Sequence, residues 1–404
     1  MERNDRMNRD LYEHIRSLMD ASIHPHRTGG EYYTGYSYGT LYDWDAYFEG
    51  IAALYMGYGS RFLQTTVRVF LENEREDGFI TRFDQDRPET VYPQMNGEHC
   101  KPFLAQMTML CWLYDGRLDW FGDGLYERMK KYLLYWTERQ SAGGFPYYRS
   151  APHSGLDTQT ERCGVWESDF DGAVELGCFL YRDLCAFSTL AEMRGREEDA
   201  ERFEQLAAER KAGVLSMWDE ADGFFYDRNV RTGEPIRIKS VTGFAPMWAG
   251  IATPRQAQIL AFDHMFNPAE FYRNYPLSAM SASEPGFSEL PLPGDIGVCN
   301  WRGNVWLPMN YLCMHGLMNY GYDGLAELLA YKTAELLAMS HDREFYSSET
   351  GAGMGLKPFS GWSLLGYFMP MEAFEGFDPT ALDLQPEDMG EYMPYFRLPP
   401  AIEL

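Results

Sequence analysis

The sequence predicts an all-α chain folded as an (α/α)6 toroid, six helical hairpins closed into a ring. Three observations predict it. Apolar residues recur at spacings of three and four in segment after segment, about a dozen times along the chain. No run of alternating β-branched residues interrupts them, only short extended pieces such as GFITRF at 78–83 and GFFYDR at 223–228. The helical tracts also come in two kinds, and the two kinds alternate. VELGCFLYRDLCAFSTLAEM at 174–193 is apolar on nearly every face, as a helix covered on both sides must be, whereas EEDAERFEQLAAERKAGVL at 197–215 is heavily charged on one side.

In chain order the helical spacing covers 9–22, 43–57, 60–74, 100–115, 122–140, 170–194, 197–217, 243–251, 254–265, 303–319, 322–340 and 360–371. The first segment follows a charged start, MERNDRMNRDLYEHIRSL. Trp44 and Asp45 open the second, where an acid favours the helix N-terminus. Between segments a phrase recurs: EREDGFITR at 74–82, AGGFPYYR at 142–149 and EADGFFYDR at 220–228, each a glycine, an aromatic and a short extended piece. Such echoes suit stacked hairpins with equivalent loops on one face. No low-complexity linker divides the chain, so residues 1–404 read as one domain, with an irregular insertion near 266–300.

Composition narrows the function. With 60 acidic against 35 basic residues the net charge is -25, which disfavours nucleic acid and anionic membrane surfaces as partners. Seven cysteines, an odd number without CxxC spacing, lie mostly in apolar tracts and read as reduced core thiols. The N-terminal segment lacks an apolar signal core, and nowhere do about 18 apolar residues run together, so a soluble, cytoplasmic protein is expected. The 22 methionines read as flexible core filler.

Four aromatic and acidic clusters fall at helix starts or in loops: GYSYGTLYDWDAYF at 35–48, HSGLDTQTER at 153–162, CNWRGNVWLPMNYL at 299–312 and REFYSSETGAGMGLKPFSGWS at 343–363. In a toroid all four reach one funnel, where a concave site is expected. Breaking a glycosidic bond needs one carboxylic acid to protonate the leaving oxygen and a second carboxylate to activate water or attack. These clusters supply acids together with aromatic faces for a sugar. Each residue also has an ordinary role. Asp157 in its glycine-containing loop can close a turn or cap a helix, Glu344 can be an exposed acid beside Arg343, and Asp45 can charge a helix start. Trp44, Trp301, Trp306 and Trp362, taken singly, suit a core as well as a sugar platform.

The order and wording of the clusters resemble glycoside hydrolase family 63 and its clan relatives, which include bacterial mannosylglycerate and glucosylglycerate hydrolases and share a trehalase-like toroid. That family carries W-D-x-x-F, then S-G-x-D-N-S-P-R, Y-W-R-G-P-V-W, Y-E-x-Y-x-P-x-T-G and F-x-W-[ST]. This chain has WDAYF at 44–48, SGLDTQTER at 154–162, NWRGNVW at 300–306, EFYSSETG at 344–351 and FSGWS at 359–363. The resemblance covers nearly the whole chain in the same order. It implies that Asp157 is the general acid and Glu344 the base. It further implies that Trp44 and Asp45 hold the sugar in the cleavage subsite, with Trp301, Arg302, Trp306 and Trp362 around it. The chain departs from the pattern where Thr158, Gln159, Thr160, Glu161 and Arg162 replace N-S-P-R with one residue more, and where Asn304 replaces a proline.

On this resemblance the expected activity is that of an inverting, exo-acting α-glycosidase, an α-glucosidase foremost, acting on a small carbohydrate such as a disaccharide or a glycosylglycerate. No counterpart of the extra β-domain of the large processing members is expected. For a substrate carboxylate the candidates are Tyr36, Tyr92, His99, Lys101 and Gln106, of which Tyr36 and Gln106 count as substrate-binding. No cofactor and no catalytic metal are expected. His24 and His26 lack further ligands nearby, and a Ca²⁺ in the acidic loop 220–227 would be structural. Glu167, Asp169 and Asp171 are the rival acids to Asp157. Two other functions suit the same ring: a sugar 2-epimerase, which would need histidines such as His315 and His341 at the funnel, and a non-catalytic carbohydrate-binding protein.

Overall fold

Helical spacing becomes helix in every predicted segment. The structure is a computed structural model that describes residues 2–84, 93–164, 170–291 and 299–375. Its helices are α1 (Glu2–Asp20), α2 (Asp43–Tyr55), α3 (Arg61–Glu72), α4 (Leu104–Asp115), α5 (Asp123–Leu134), α6 (Ala151–Ser154), α7 (Thr160–Cys163), α8 (Val174–Met193), α9 (Glu197–Leu215), α10 (Ala245–Trp248), α11 (Pro254–Ile259), α12 (Leu307–Asn319), α13 (Asp323–Ser340) and α14 (Leu365–Glu375). The periodicity misses only α6 and α7, one turn each, which are too short to carry a period. Both flank Asp157.

Inner and outer helices separate as the two kinds of tract predict. Every residue of α2 is buried, whereas α9 buries only Ala200, Phe203, Ala207, Arg210 and Val214. The inner helices make a cycle of neighbours: α2 packs on α4, α4 on α8, α8 on α10, α10 on α12, α12 on α14, and α14 on α2. Outer helices cover them, α3 on α2 and α4, α9 on α8, and α13 on α12 and α14. The core runs through the cycle, with Phe48, Ile51, Phe103, Phe179, Leu317 and Phe368 sealed from solvent. Burying side chains of this size contributes about 1.5–3 kcal/mol each, and this two-sided burial is why the inner tracts carry no polar face.

The short extended pieces pair as two-stranded ladders and one three-stranded sheet, in which Asp227–Asn229 lies between Asp171–Gly172 and Pro235–Ile236. Leu41–Tyr42 pairs with Phe83–Asp84, Trp218–Asp219 with Phe224–Phe225, and Phe345–Tyr346 with Gly353–Met354, all antiparallel. The first and last of these pairs brace segments that carry site residues. The predicted insertion starts where the helical turns after α11 stop at Met265, and residues 266–291 contain no α-helix. That stretch is tied down by Glu289, whose carboxylate accepts from the Ser347 and Ser348 hydroxyls (2.9 and 3.0 Å) and from the Glu349 N–H (3.1 Å). Residues 292–298 of the insertion lie outside the described residues. Among the described residues no helix is long and apolar enough to cross a membrane.

Candidate active site

The acid motif folds as a tight turn between two one-turn helices. The Ser150 hydroxyl caps α6 by accepting the His153 N–H (3.0 Å). Gly155 then takes a left-handed conformation (φ 86°), and a Cβ there would lie 2.6 Å from Trp44 Cζ2, so only glycine lets the loop lie against the indole. The Gln159 N–H donates to the Leu156 carbonyl (2.9 Å), which leaves Asp157 and Thr158 at the apex of the turn. No hydrogen bond from a described residue reaches the Asp157 carboxyl. Burial pushes its pKa up to about 7; the nearby Glu98 and Glu344 add to the shift, and Arg82 and Lys101 oppose it.

Glu344 is held very differently. It stands just before the strand Phe345–Tyr346, and its Oε2 accepts the Leu356 N–H across the hairpin (3.0 Å). Gly355 (φ 69°) keeps that approach open, since a Cβ there would collide with the carboxylate. Oε1 faces the Cys299 thiol at 3.8 Å, and the backbone carbonyl of Glu344 accepts the Trp362 indole N–H (3.1 Å). Burial raises the Glu344 pKa, while the Leu356 and Cys299 donors favour the carboxylate. Burial thus raises both carboxyls, and of the two Glu344 is the one held by donors from the described residues.

Four tryptophans close the site. Trp44 leans on Trp301 (centroids 6.0 Å apart, 35°) and on Trp362 (6.5 Å), and Trp301 stacks on Trp306 (3.7 Å, 8°). Trp306 stacks in turn on Phe345 (4.5 Å, 17°), so both its faces are covered and only its edge is left for a ligand. Asp45 accepts the Tyr36 hydroxyl (3.0 Å) and is pushed up to about 7, first by burial and then by its neighbour Asp43. One cavity gathers Asp157, Glu344, Asp45, Tyr36, Trp44, Trp301, Trp306 and Trp362, together with Tyr38, Tyr42, Arg82, Met95, Gly155 and Cys299. Its empty volume, including the part open to solvent, is about 510 Å³, in the range of small-molecule sites.

Two residues expected at the site stand elsewhere. Gln106 is spent between helices: its amide donates to the Pro102 and Phe179 carbonyls (3.1 and 3.4 Å) and accepts from Arg182 (3.2 Å), and its N–H binds Asp183 (2.9 Å). The helical position turns it into the α4–α8 contact instead of the funnel. Arg302 points away to pair with Glu161 (3.2 Å) and does not line the cavity. Of the remaining carboxylate candidates, His99 is wholly buried between Ile80 and Tyr132, Lys101 is wholly buried against Asp43, and Tyr92 lies outside the described residues. The rival acid Asp171 is buried beside Arg162, away from the cavity, and Glu167 and Asp169 lie outside the described residues.

Arg82 is the cation that sequence reasoning missed. It closes the phrase EREDGFITR, which reads there only as a repeated loop, and the antiparallel pairing of Leu41–Tyr42 with Phe83–Asp84 brings it beside the site. Its guanidinium donates to the Pro152 carbonyl and approaches Glu98 (3.4 Å), and its Nε lies 4.0 Å from the Asp43 carboxylate, with no hydrogen-bond partner among the described residues. The histidines have other duties: His26 binds Asp84 (2.9 Å), and His315 is buried against Glu372 (2.5 Å). In the acidic loop, Asp219 and Asp222 pair with Arg237, and Glu220 with Arg255.

Comparison with known proteins converges on one family. The model of the mannosylglycerate hydrolase MGH1-like glycoside hydrolase domain matches residues 38–363. A mannosylglycerate hydrolase of Thermus thermophilus is 31% identical over 185 residues, 45% of this chain and 40% of that protein. The cytosolic neutral trehalase of Kluyveromyces lactis is 34% identical over 132 residues, 32% of this chain and 17% of that protein. The chain thus spans less than half the length of these curated relatives. Among solved structures, the family 63 mannosylglycerate hydrolase from a second strain of Thermus thermophilus, in complex with Tris and D-glycerate, superposes with a TM-score of 0.69 at 19% identity, over 89% of this chain and 99% of that one. At that identity the likeness is one of fold.

Proposed function

Because the chain belongs to the mannosylglycerate hydrolase MGH1-like glycoside hydrolase family, we propose that it is an inverting, exo-acting α-glycosidase. Its substrate is a small α-linked glycoside, an α-glucosyl or α-mannosyl glycerate foremost and a disaccharide next. The observation that carries the reading is the pair of unlike acids on one cavity: Asp157, pushed up to about 7 with no hydrogen bond from a described residue, and Glu344 held as an acceptor by Leu356. Asp157 gives its proton to the glycosidic oxygen, and Glu344 takes a proton from a water on the opposite face of the sugar. Asp45, steadied by Tyr36, accepts from sugar hydroxyls. Trp44, Trp362 and Trp301, which line the cavity together, flank and support the ring.

Arg82 favours a carboxylate-bearing aglycone over a neutral one. Its guanidinium is a positive charge on the cavity wall, paired with Glu98 (3.4 Å) and Asp43 (4.0 Å), and an anionic aglycone would add a third partner. The cycle of six inner helices suits an (α/α)6 toroid with the cavity at one mouth. The seven cysteines, all buried or half-buried, suit the reducing cytoplasm. A 2-epimerase would place histidines at the cavity, and none of the described residues that line it is a histidine. Turnover of a panel of α-linked disaccharides and of glucosyl- and mannosylglycerate tests the proposal. Asp157→Asn and Glu344→Gln should each lose about 10²- to 10⁴-fold in kcat. Release of no sugar from any member, or losses below about tenfold in both variants, would overturn it.

A further inference from the structure

The acid motif differs from the family wording just after Asp157, and that difference has a geometric counterpart. Thr158 Oγ1 accepts the Trp301 N–H (2.8 Å), and Gln159 Nε2 donates to the Trp301 carbonyl (2.6 Å) and to the Ala279 carbonyl (2.9 Å). Both backbone polar groups of Trp301 are therefore taken by the two residues that follow the acid. Gln159 is itself held, because its Oε1 accepts from Arg162 (3.3 Å). Arg162 is in turn fixed to Asp227 through Nε (2.6 Å) and to both oxygens of Glu175 through one terminal nitrogen (2.9 and 3.1 Å). Asp227 also accepts the Val174 N–H that starts α8 (2.9 Å). Thr158, Gln159 and Arg162 are all at most 1% exposed.

We propose that Thr158 and Gln159, braced by Arg162, are positioning residues that register the acid Asp157 against the Trp301 wall. The proposal rests on the reading of Asp157 as the proton donor. Moving the turn by one step would strand buried donors and acceptors on Thr158, Gln159 and Trp301 at once, so the acid and the ring that supports the sugar keep one separation. Proton transfer to the leaving oxygen demands such a fixed geometry. The segment TQTER thus supplies by side chains the registration that a differently worded loop must obtain in another way.

Leaving-group dependence isolates this role. Fluoride departs from an α-glycosyl fluoride without needing a proton, whereas an alkyl aglycone needs one. Gln159→Leu and Thr158→Val should each lower kcat/KM about tenfold or more on the best unactivated α-glycoside of the panel, and less than about threefold on the α-glycosyl fluoride of the same sugar. Thr158→Ser, which restores the acceptor, should return to within about twofold of the parent. A folded variant that loses the same factor on both substrates, or on neither, overturns the proposal. If Gln159→Leu does not fold, the Thr158→Val and Thr158→Ser pair decides alone. Asp157→Ala run alongside separates the two readings. Failure of that variant to spare the fluoride removes Asp157 as the acid, whereas a spared fluoride there with no selectivity at Thr158 and Gln159 removes only the positioning role.

Discussion

The Trp301 indole lies flat on Trp306, with centroids 3.7 Å apart and planes 8° from parallel, and Phe345 covers the far side of Trp306. Two residues that read alike in NWRGNVW therefore have different duties. Trp306 is stacked on both faces, whereas Trp301 is stacked on one face and meets Trp44 at a 35° tilt, centroids 6.0 Å apart. Trp301→Phe should raise KM or lower kcat with little change in Tm, while Trp306→Phe should lower Tm by several degrees, since shrinking a fully packed aromatic costs on the order of 1–3 kcal/mol. Steady-state kinetics and a thermal melt on the two variants check this division.

The pH profile should carry the signature of Asp157. The acid works only when protonated, and burial lifts its pKa to about 7, so kcat/KM on an unactivated glycoside should fall about tenfold per unit above pH 7. Stability carries the same sign. A carboxyl whose pKa is raised in the folded state contributes most at low pH, and that contribution is lost as pH rises through about 7. Asp157→Asn should therefore raise Tm more at pH 8 than at pH 5, while abolishing turnover at both. A scanning melt at the two pH values measures it, and an equal shift at both would remove the buried charge from the account.

Arg82→Gln should cost about ten- to a hundredfold in kcat/KM on a glycosylglycerate and much less on a neutral disaccharide, the loss expected for one charged hydrogen bond to a carboxylate. Competition between the two substrates in one reaction reads this ratio directly. Equal losses on both would mean that Arg82 serves only to hold Glu98 and the Pro152 carbonyl.

The helices were legible in the sequence because two-sided burial writes itself into α2 and α8 as unbroken apolar tracts, and one-sided burial into α9 as a charged stripe. At the site, motif order brought out the residues whose chemistry is unusual in a loop, Asp157 and Glu344, and the tryptophans that share their cavity. Gln106 and Arg302 could not be placed this way. Their side chains are as capable of binding sugar as of bridging helices, and only packing decides which they do. Arg82 was hidden for the opposite reason, since it sits in a loop phrase with no motif of its own and becomes a wall residue only when Leu41–Tyr42 pairs with Phe83–Asp84. Thr158 and Gln159 read in sequence as departures from a pattern, and their hydrogen bonds to Trp301 exist only in three dimensions.

Gln106→Leu checks the placement of that residue between α4 and α8. With its amide bonds to Pro102, Phe179 and Arg182 removed, the chain should lose stability by about 1–3 kcal/mol, seen as a lower denaturant midpoint, with KM unchanged. A selective rise in KM would instead return Gln106 to the substrate.

The stereochemistry of the first product tests the central claim most directly. In an inverting site water stands between the base and the anomeric carbon, with the carboxyls about 6.5–9.5 Å apart, and attacks the face opposite the leaving group. Proton NMR spectra of an α-linked substrate, taken before mutarotation, should therefore show the β-anomer of the released sugar appearing first. An initial α-anomer, or a glycosyl group trapped covalently on Glu344, would mean two displacements and carboxyls only about 5–5.5 Å apart, and would contradict the assignment of Glu344 as a base acting through water.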